Sequence, residues 1–198
     1  MSLMEQLTKV VAQQMTAQAA QKTGLDQGIA SAMMPMAMAA LMNGLKKNAS
    51  SASGAQALAS ALDNHDGSLL DNASQLGSDG SIADGAKILK HILGGKQGQT
   101  EMALAKTAGV EQSQMNKLLA MAAPAVLASL GKAKREQNLD TNALAGLLKQ
   151  EGANAQKAAP SEMGPLMQFL DQDGDGDFKD DIMEAAGKKL LGGLFGRK

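Results

Sequence analysis

The sequence contains no cysteine, which excludes disulfides and thiolate metal sites. It contains no Trp and no Tyr, and its only aromatic residues are Phe169, Phe178 and Phe195. Readers of single strands and RNA loops stack bases on such rings, so the chain lacks the chemistry for that work. No charge of one sign dominates. Nineteen Lys and Arg face twenty Asp and Glu, for a formal charge of −1. That balance gives no electrostatic footprint for nucleic acid or an anionic membrane. Histidine is limited to His65 and His91. No Ser-His-Asp order, HExxH, phosphate-cradling loop or dinucleotide fingerprint occurs. Gly94-Gly95-Lys96 lacks the preceding strand and the spacing of a phosphate loop. The expectation is a protein without catalytic residues, not an enzyme.

What is present is helical material. The 198 residues are 44% hydrophobic, fourteen of them Met. They suffice for one domain, or two small ones sharing a core. With so few rings, the core must come from Ala, Leu, Ile, Val and Met. Small side chains let helices approach closely but bury little area each. The longest uncharged run, residues 27–45, is mostly Ala and Met, with Ser31, Pro35, Asn43 and Gly44 inside it. Its length approaches a membrane span and its hydrophobicity does not, so it reads as a core helix. Residues 1–14 carry Glu5 and Lys9 and hold no apolar stretch before a cleavage site, which points to the cytoplasm and leaves envelope association open.

The chain also repeats itself. Thr23-Gly24-Leu25-Asp26-Gln27 matches Ala108-Gly109-Val110-Glu111-Gln112 at an offset of 85 residues. In the same register Met36 meets Met121, Leu45 meets Leu130, Lys47 meets Lys132 and Leu62 meets Leu147. Each unit reads alike. A helix ends at Gly24 or Gly109, where glycine tolerates a left-handed cap. Asp26 or Glu111 then favours the next helix N-terminus. A long Ala/Met/Leu helix follows, ending in lysines, and a shorter helix closes the unit over residues 55–62 or 141–149. Pro35 and Pro124 fall inside the long helices and predict a kink or a split in each. The expected fold is all-α: a multi-helical bundle of two tandem helical repeats, residues 1–95 and 96–158, plus a C-terminal segment over 159–198, in one compact domain. Repeated helical units pack on each other because one unit alone does not bury its apolar face.

A shorter element, Asp-Gly-polar-apolar-x-Asp, occurs at residues 66–71, 79–84 and 175–180. Asp-Gly makes a turn, and the next Ser or Asp serves as an N-cap. The third copy is richer. Asp171, Asp173 and Asp175 stand at positions one, three and five of a calcium-type loop, with Gly176 at six and Asp177 at seven. Position twelve is Ile182, which cannot coordinate, and Asp181 stands beside it as a substitute. Four carboxylates within seven residues repel one another unless a cation or helix N-termini relieve them. Calcium is the expected ion, against the alternative of a solvated, capped acidic turn.

At these residues the chain resembles a bacterial family called domain of unknown function 937, grouped with YidB-like proteins. The resemblance rests on residues 63–71, on Asp79-Gly80-Ser81-Ile82-Ala83-Asp84-Gly85 leading to His91-Ile92-Leu93-Gly94-Gly95, and on the acidic loop before a Gly-rich tail. It implies an all-helical bacterial protein and transfers no catalytic residue.

Two features remain. Met33, Met34, Met38 and Met42 cluster in the first long helix, as core filler or as an adaptable groove for a partner helix or a second copy. His65 reads as a solvated turn residue, and His91 as a cap for the carbonyls of its own helix near Gly94. The apolar and basic tail, residues 188–198, reads as a frayed end. Two functions follow: a helical protein-protein interaction or structural module, and a calcium-binding or calcium-stabilised module acting through residues 171–181.

Overall fold

A computed structural model describes residues 15–65 and 67–158, which belong to the compact unit Met1–Ala159. These residues are all-α, with no strand among them. In chain order they form α1 (Thr16–Thr23), α2 (Gln27–Asn48), α3 (Ala52–Asp63), a short α4 (Ser68–Asp71), a 3-10 turn (Ala73–Gly77), α5 (Asp79–Leu93), a second 3-10 turn (Gly94–Lys96), α6 (Gln97–Ala108), α7 (Gln112–Glu136) and α8 (Thr141–Ala158).

The two glycine corners form as their chemistry dictates. Gly24 (φ 74°) and Gly109 (φ 66°) cap α1 and α6 in the left-handed region. Asp26 accepts a bond from the Gly28 N–H at 2.7 Å at the start of α2. Glu111 and Gln114 close a capping box at the start of α7, with the Glu111 N–H donating to Gln114 Oε1 at 3.1 Å. The same Gln114 donates through Nε2 to the Gly24 carbonyl at 2.9 Å, so one corner is tied to the other.

Helix α7 is the centre. Every residue from Leu118 to Gly131 is buried, and α1 to α6 all pack against it. A helix apolar on all sides belongs in the middle of a bundle. Helix α2 is next, packed on α1, α5, α6, α7 and α8. Its 18-residue window has a mean hydropathy of 1.3, so α2 is long and apolar enough to cross a membrane, contrary to the reading of its sequence. Here 61% of that window is buried, and neighbouring helices cover the apolar side chains. Met33, Met34, Met38 and Met42 are at most 4% exposed. They fill the core and offer no groove to a partner, because α7 and its neighbours already occupy the face they present.

The packing is reciprocal. Helix α1 packs on α7 as α6 does on α2, and α2 packs on α8 as α3 does on α7. Helix α2 also packs on α7, and α3 on α8.

Close backbone approach sets the spacing. Pro124 has no N–H to give to the Ala120 carbonyl. Gly85 of α5 sits against that same oxygen, and a Cβ at Gly85 would overlap it. The uncovered acceptor is thus met by a Cα–H instead of being left to an apolar neighbour. Gly131 lies in the same way against the His65 carbonyl. Of the kink or split expected at Pro35 and Pro124, the split does not occur: α2 and α7 each run on through their proline. The acceptor freed by Pro35 belongs to Ser31, an exposed residue.

Gly67 (φ 92°) is itself the N-cap of α4, and Ser68, expected as the cap, is the first residue of the helix and makes no side-chain cap bond. At α5 the turn is one step earlier. Ser78 accepts from the Ser81 N–H at 3.2 Å, and Asp79 and Gly80 already belong to the first turn. The Lys22 ammonium donates to Asp79 at 2.6 Å and holds its carboxyl below the usual carboxylate range.

Glycines of two kinds give opposite predictions. Gly85→Ala and Gly131→Ala force α5 and the His65 backbone off α7, and each lowers stability by about 1–3 kcal/mol. Gly146→Ala meets nothing within 4 Å in α8 and raises stability by about 0.5–1 kcal/mol. Chemical denaturation of the three variants checks the signs.

Candidate functional site

The end of α2 fixes the start of α3. Gly54 lies so close to the Asn48 carbonyl that a Cβ there would overlap it. Ser51 caps α3, its hydroxyl accepting from the Gly54 N–H at 3.1 Å. The Asn48 side chain reaches the other way. Its Nδ2 donates to the His91 and Ile92 carbonyls of α5, both at 3.1 Å. These are carbonyls of the last turn of α5, which lack helical partners. Gly44 brings α2 within contact of the Ile92 side chain.

Three helix segments are thereby held apart around a groove of about 780 Å³. Its apolar surface comes from Leu45, Leu58, Ile88, Ile92 and Leu127. Its polar lining comes from Lys47, Asn48, Ser50, Ser51, Ser53, His65 and His91. Both histidines of the chain therefore line one cavity, although 26 positions separate them in sequence. His65 is half-buried and His91 is exposed. No Asp, Glu or thiol lines the groove among the described residues. The lining offers hydroxyls, imidazoles and an ammonium over an apolar floor, which is the composition of a binding site.

The role expected of His91 is corrected here. The α5 carbonyls are met by Asn48, 43 residues earlier, and the imidazole is left to the groove. Nothing local in the sequence marks Asn48 for that task. The groove itself escaped sequence reasoning because its lining spans residues 45 to 127.

The acidic residues read as calcium ligands, Asp171, Asp173, Asp175, Asp177 and Asp181, lie outside the described residues. Among the described residues no group of three or more His, Cys, Asp or Glu side chains is placed to hold a metal ion. Two carboxylates are nonetheless buried, Glu151 on α8 and Glu101 on α6. Glu101 is 5% exposed. It accepts from Gln97 Nε2 at 2.8 Å, Asn116 Nδ2 at 2.6 Å and Gln112 Nε2 at 3.2 Å. Three amide donors satisfy it, so it serves as a brace between α6 and the first turns of α7 rather than as a reacting group.

Replacing Asn48 with Ala removes both donors to the α5 carbonyls. The expected loss is about 1–2 kcal/mol, with hydrogen exchange rising at the end of α5 before global unfolding.

No curated protein and no solved structure matches the chain. A family model described as bacterial protein of unknown function matches residues 5–133, from before α1 to near the end of α7, and stops short of the acidic loop. The groove lies wholly within the matched span, and the chain belongs to that bacterial family of unknown function, DUF937.

Proposed function

We propose that this chain is a non-enzymatic helical interaction module, built from two copies of one helical unit (residues 1–95 and 96–158) and followed by a separate C-terminal segment. It acts by holding a partner, not by transforming one. The observation that carries this reading is the groove between α2, α3 and α5. Its volume lies within the range of about 300–1,000 Å³ common to ligand sites, and its lining pairs an apolar floor with a few polar groups. No carboxylate–imidazole or nucleophile–base pair lines it among the described residues, so the supporting chemistry is that of recognition.

The duplication is supported by the paired glycine corners, by the reciprocal packing, and by one contact. Gln56 and Thr141 stand 85 residues apart, the repeat offset, and their side chains meet at 3.5 Å between α3 and α8. Corresponding residues meet in this way only near an axis of two-fold symmetry.

The groove reading is tested with a neutral apolar dye, N-phenyl-1-naphthylamine. A chain without Trp or Tyr contributes almost no emission of its own. One dye should bind per chain. Ala57→Trp, an exposed lining position, fills the groove and should weaken the dye about tenfold with the melting temperature unchanged. Dye binding that is absent from the wild type, or undiminished in the variant, overturns the reading.

The spacing of Asp171, Asp173, Asp175 and Asp177 supports a second, independent property, a calcium loop completed by Asp181. With Ile182 in place of the usual bidentate acid, the expected dissociation constant is roughly 10⁻⁴ to 10⁻³ M. Calorimetric titration of the full chain should show one site, lost in Asp173→Ala plus Asp175→Ala. Absence of heat in the wild type removes calcium from the description.

A further inference from the structure

We infer that Met102 is a reversible oxidation site, a surface thioether that peroxide converts to the sulfoxide while the folded unit shields its other described methionines. The chain carries fourteen methionines, nine of them among the described residues. Eight of these nine, from Met15 to Met121, are at most 6% exposed. Met102, on α6, is 59% exposed, and it is the one large hydrophobic side chain left open to solvent among the described residues. A single exposed apolar side chain is no docking patch, since recognition surfaces need a contiguous apolar area. What sets Met102 apart is chemical.

The packing of α6 explains why the sulfur is outside. Glu101, the residue before it, faces inward and braces α6 on α7 through three amides. Thr100, Leu104 and Ala105 are buried with it and define the inner face of the helix. Met102 falls on the side away from them. Gly98, Gln99 and Lys106, each one turn away along α6, are exposed as well.

Oxidation is an oxygen transfer. The sulfur lone pair attacks one oxygen of hydrogen peroxide, the S–O bond forms and the O–O bond breaks. The proton of the transferred oxygen passes to the departing hydroxide, which leaves as water. The thioether loses two electrons and the peroxide is reduced by two. The step needs a sulfur that waterborne peroxide can touch, which Met102 has and the core sulfurs lack. The product is polar. At Met102 it stays in solvent beside Gln99 and Lys106. Within α2 or α7 it would place an unpaired dipole in the core, and attack there must await opening of the bundle. The exposure that admits peroxide also admits a methionine sulfoxide reductase, which makes the change reversible.

Dilute hydrogen peroxide applied to the full chain, followed by tryptic mapping, reads each class of methionine by itself. Met102 is the sole methionine of peptide 97–106, the α2 methionines share 23–46, and Met115 and Met121 fall in 107–117 and 118–132. Per methionine, peptide 97–106 should gain oxygen at least about tenfold faster than the other three. In concentrated urea that ratio should fall below about threefold. Full oxidation of 97–106 should leave the melting temperature unchanged, and a methionine sulfoxide reductase with a thiol reductant should restore the original mass. Core peptides that react as fast as 97–106 in the folded chain overturn the proposal. So does an advantage that survives in urea, which would belong to local sequence and not to the fold. A melting temperature that falls in the wild type but not in Met102→Leu given the same peroxide overturns the claim that the surface takes the sulfoxide without cost. A sulfoxide in 97–106 that resists the reductase overturns reversibility.

Discussion

Fourteen consecutive residues of α7, Leu118 to Gly131, have no solvent face, and the rest of the unit is arranged to cover them. Such a helix can be surrounded only if its own side chains are small enough for neighbours to approach on all sides. Ala120, Ala122, Ala123, Ala125 and Ala128 meet that need. Each contributes little area, so stabilisation comes from the number of close contacts rather than from a few large side chains. This is why glycine matters here at Gly85 and Gly131, where backbone meets backbone. It is also why a proline is tolerated in the middle of α7: the carbonyl it leaves unpaired coincides with the point of closest approach of α5.

The same constraint positions the groove. Helix α5 is pinned to α7 at Gly85 and to α2 by Asn48 and Gly44. Helix α3 is pinned to α2 at Gly54 and to α7 by Lys134, which donates to the Ala59 carbonyl at 2.8 Å. Each helix is fixed at defined points, and the space left between α3 and α5 is not closed. A bundle with large aromatic side chains would fill it. This chain has none among the described residues, so the cavity follows from the composition as well as from the topology. Polar residues at the ends of α2 and α5 then set its character.

Much of the fold was legible because it is encoded locally. A left-handed glycine followed two positions later by an acid specifies a helix end and a helix start, and both corners form that way at Gly24-Asp26 and Gly109-Glu111. The readings that went astray share one cause. At Pro124 the split that local chemistry allows does not occur, and the freed Ala120 carbonyl lies against Gly85 of α5. His91 was assigned to its own helix end, yet Asn48 arrives from 43 residues away. The launch of α5 was placed at Asp79-Gly80, yet Ser78, one residue earlier, offers the cap. In each instance a distant or competing partner satisfied a group that local chemistry alone assigned otherwise.

The sequence by itself determined the helical class, the two corners, the apolar stretches and the absence of ring- or thiol-based chemistry, because each depends on residue type or on neighbours within a turn or two. Only the tertiary structure decided that the methionines of α2 are interior, that α2 is covered by other helices, and that His65 and His91 share a cavity. Those outcomes depend on which surfaces meet. A helical pattern marks that a face is apolar, and the packing of α7 against its neighbours decides what covers that face and what space remains open beside it.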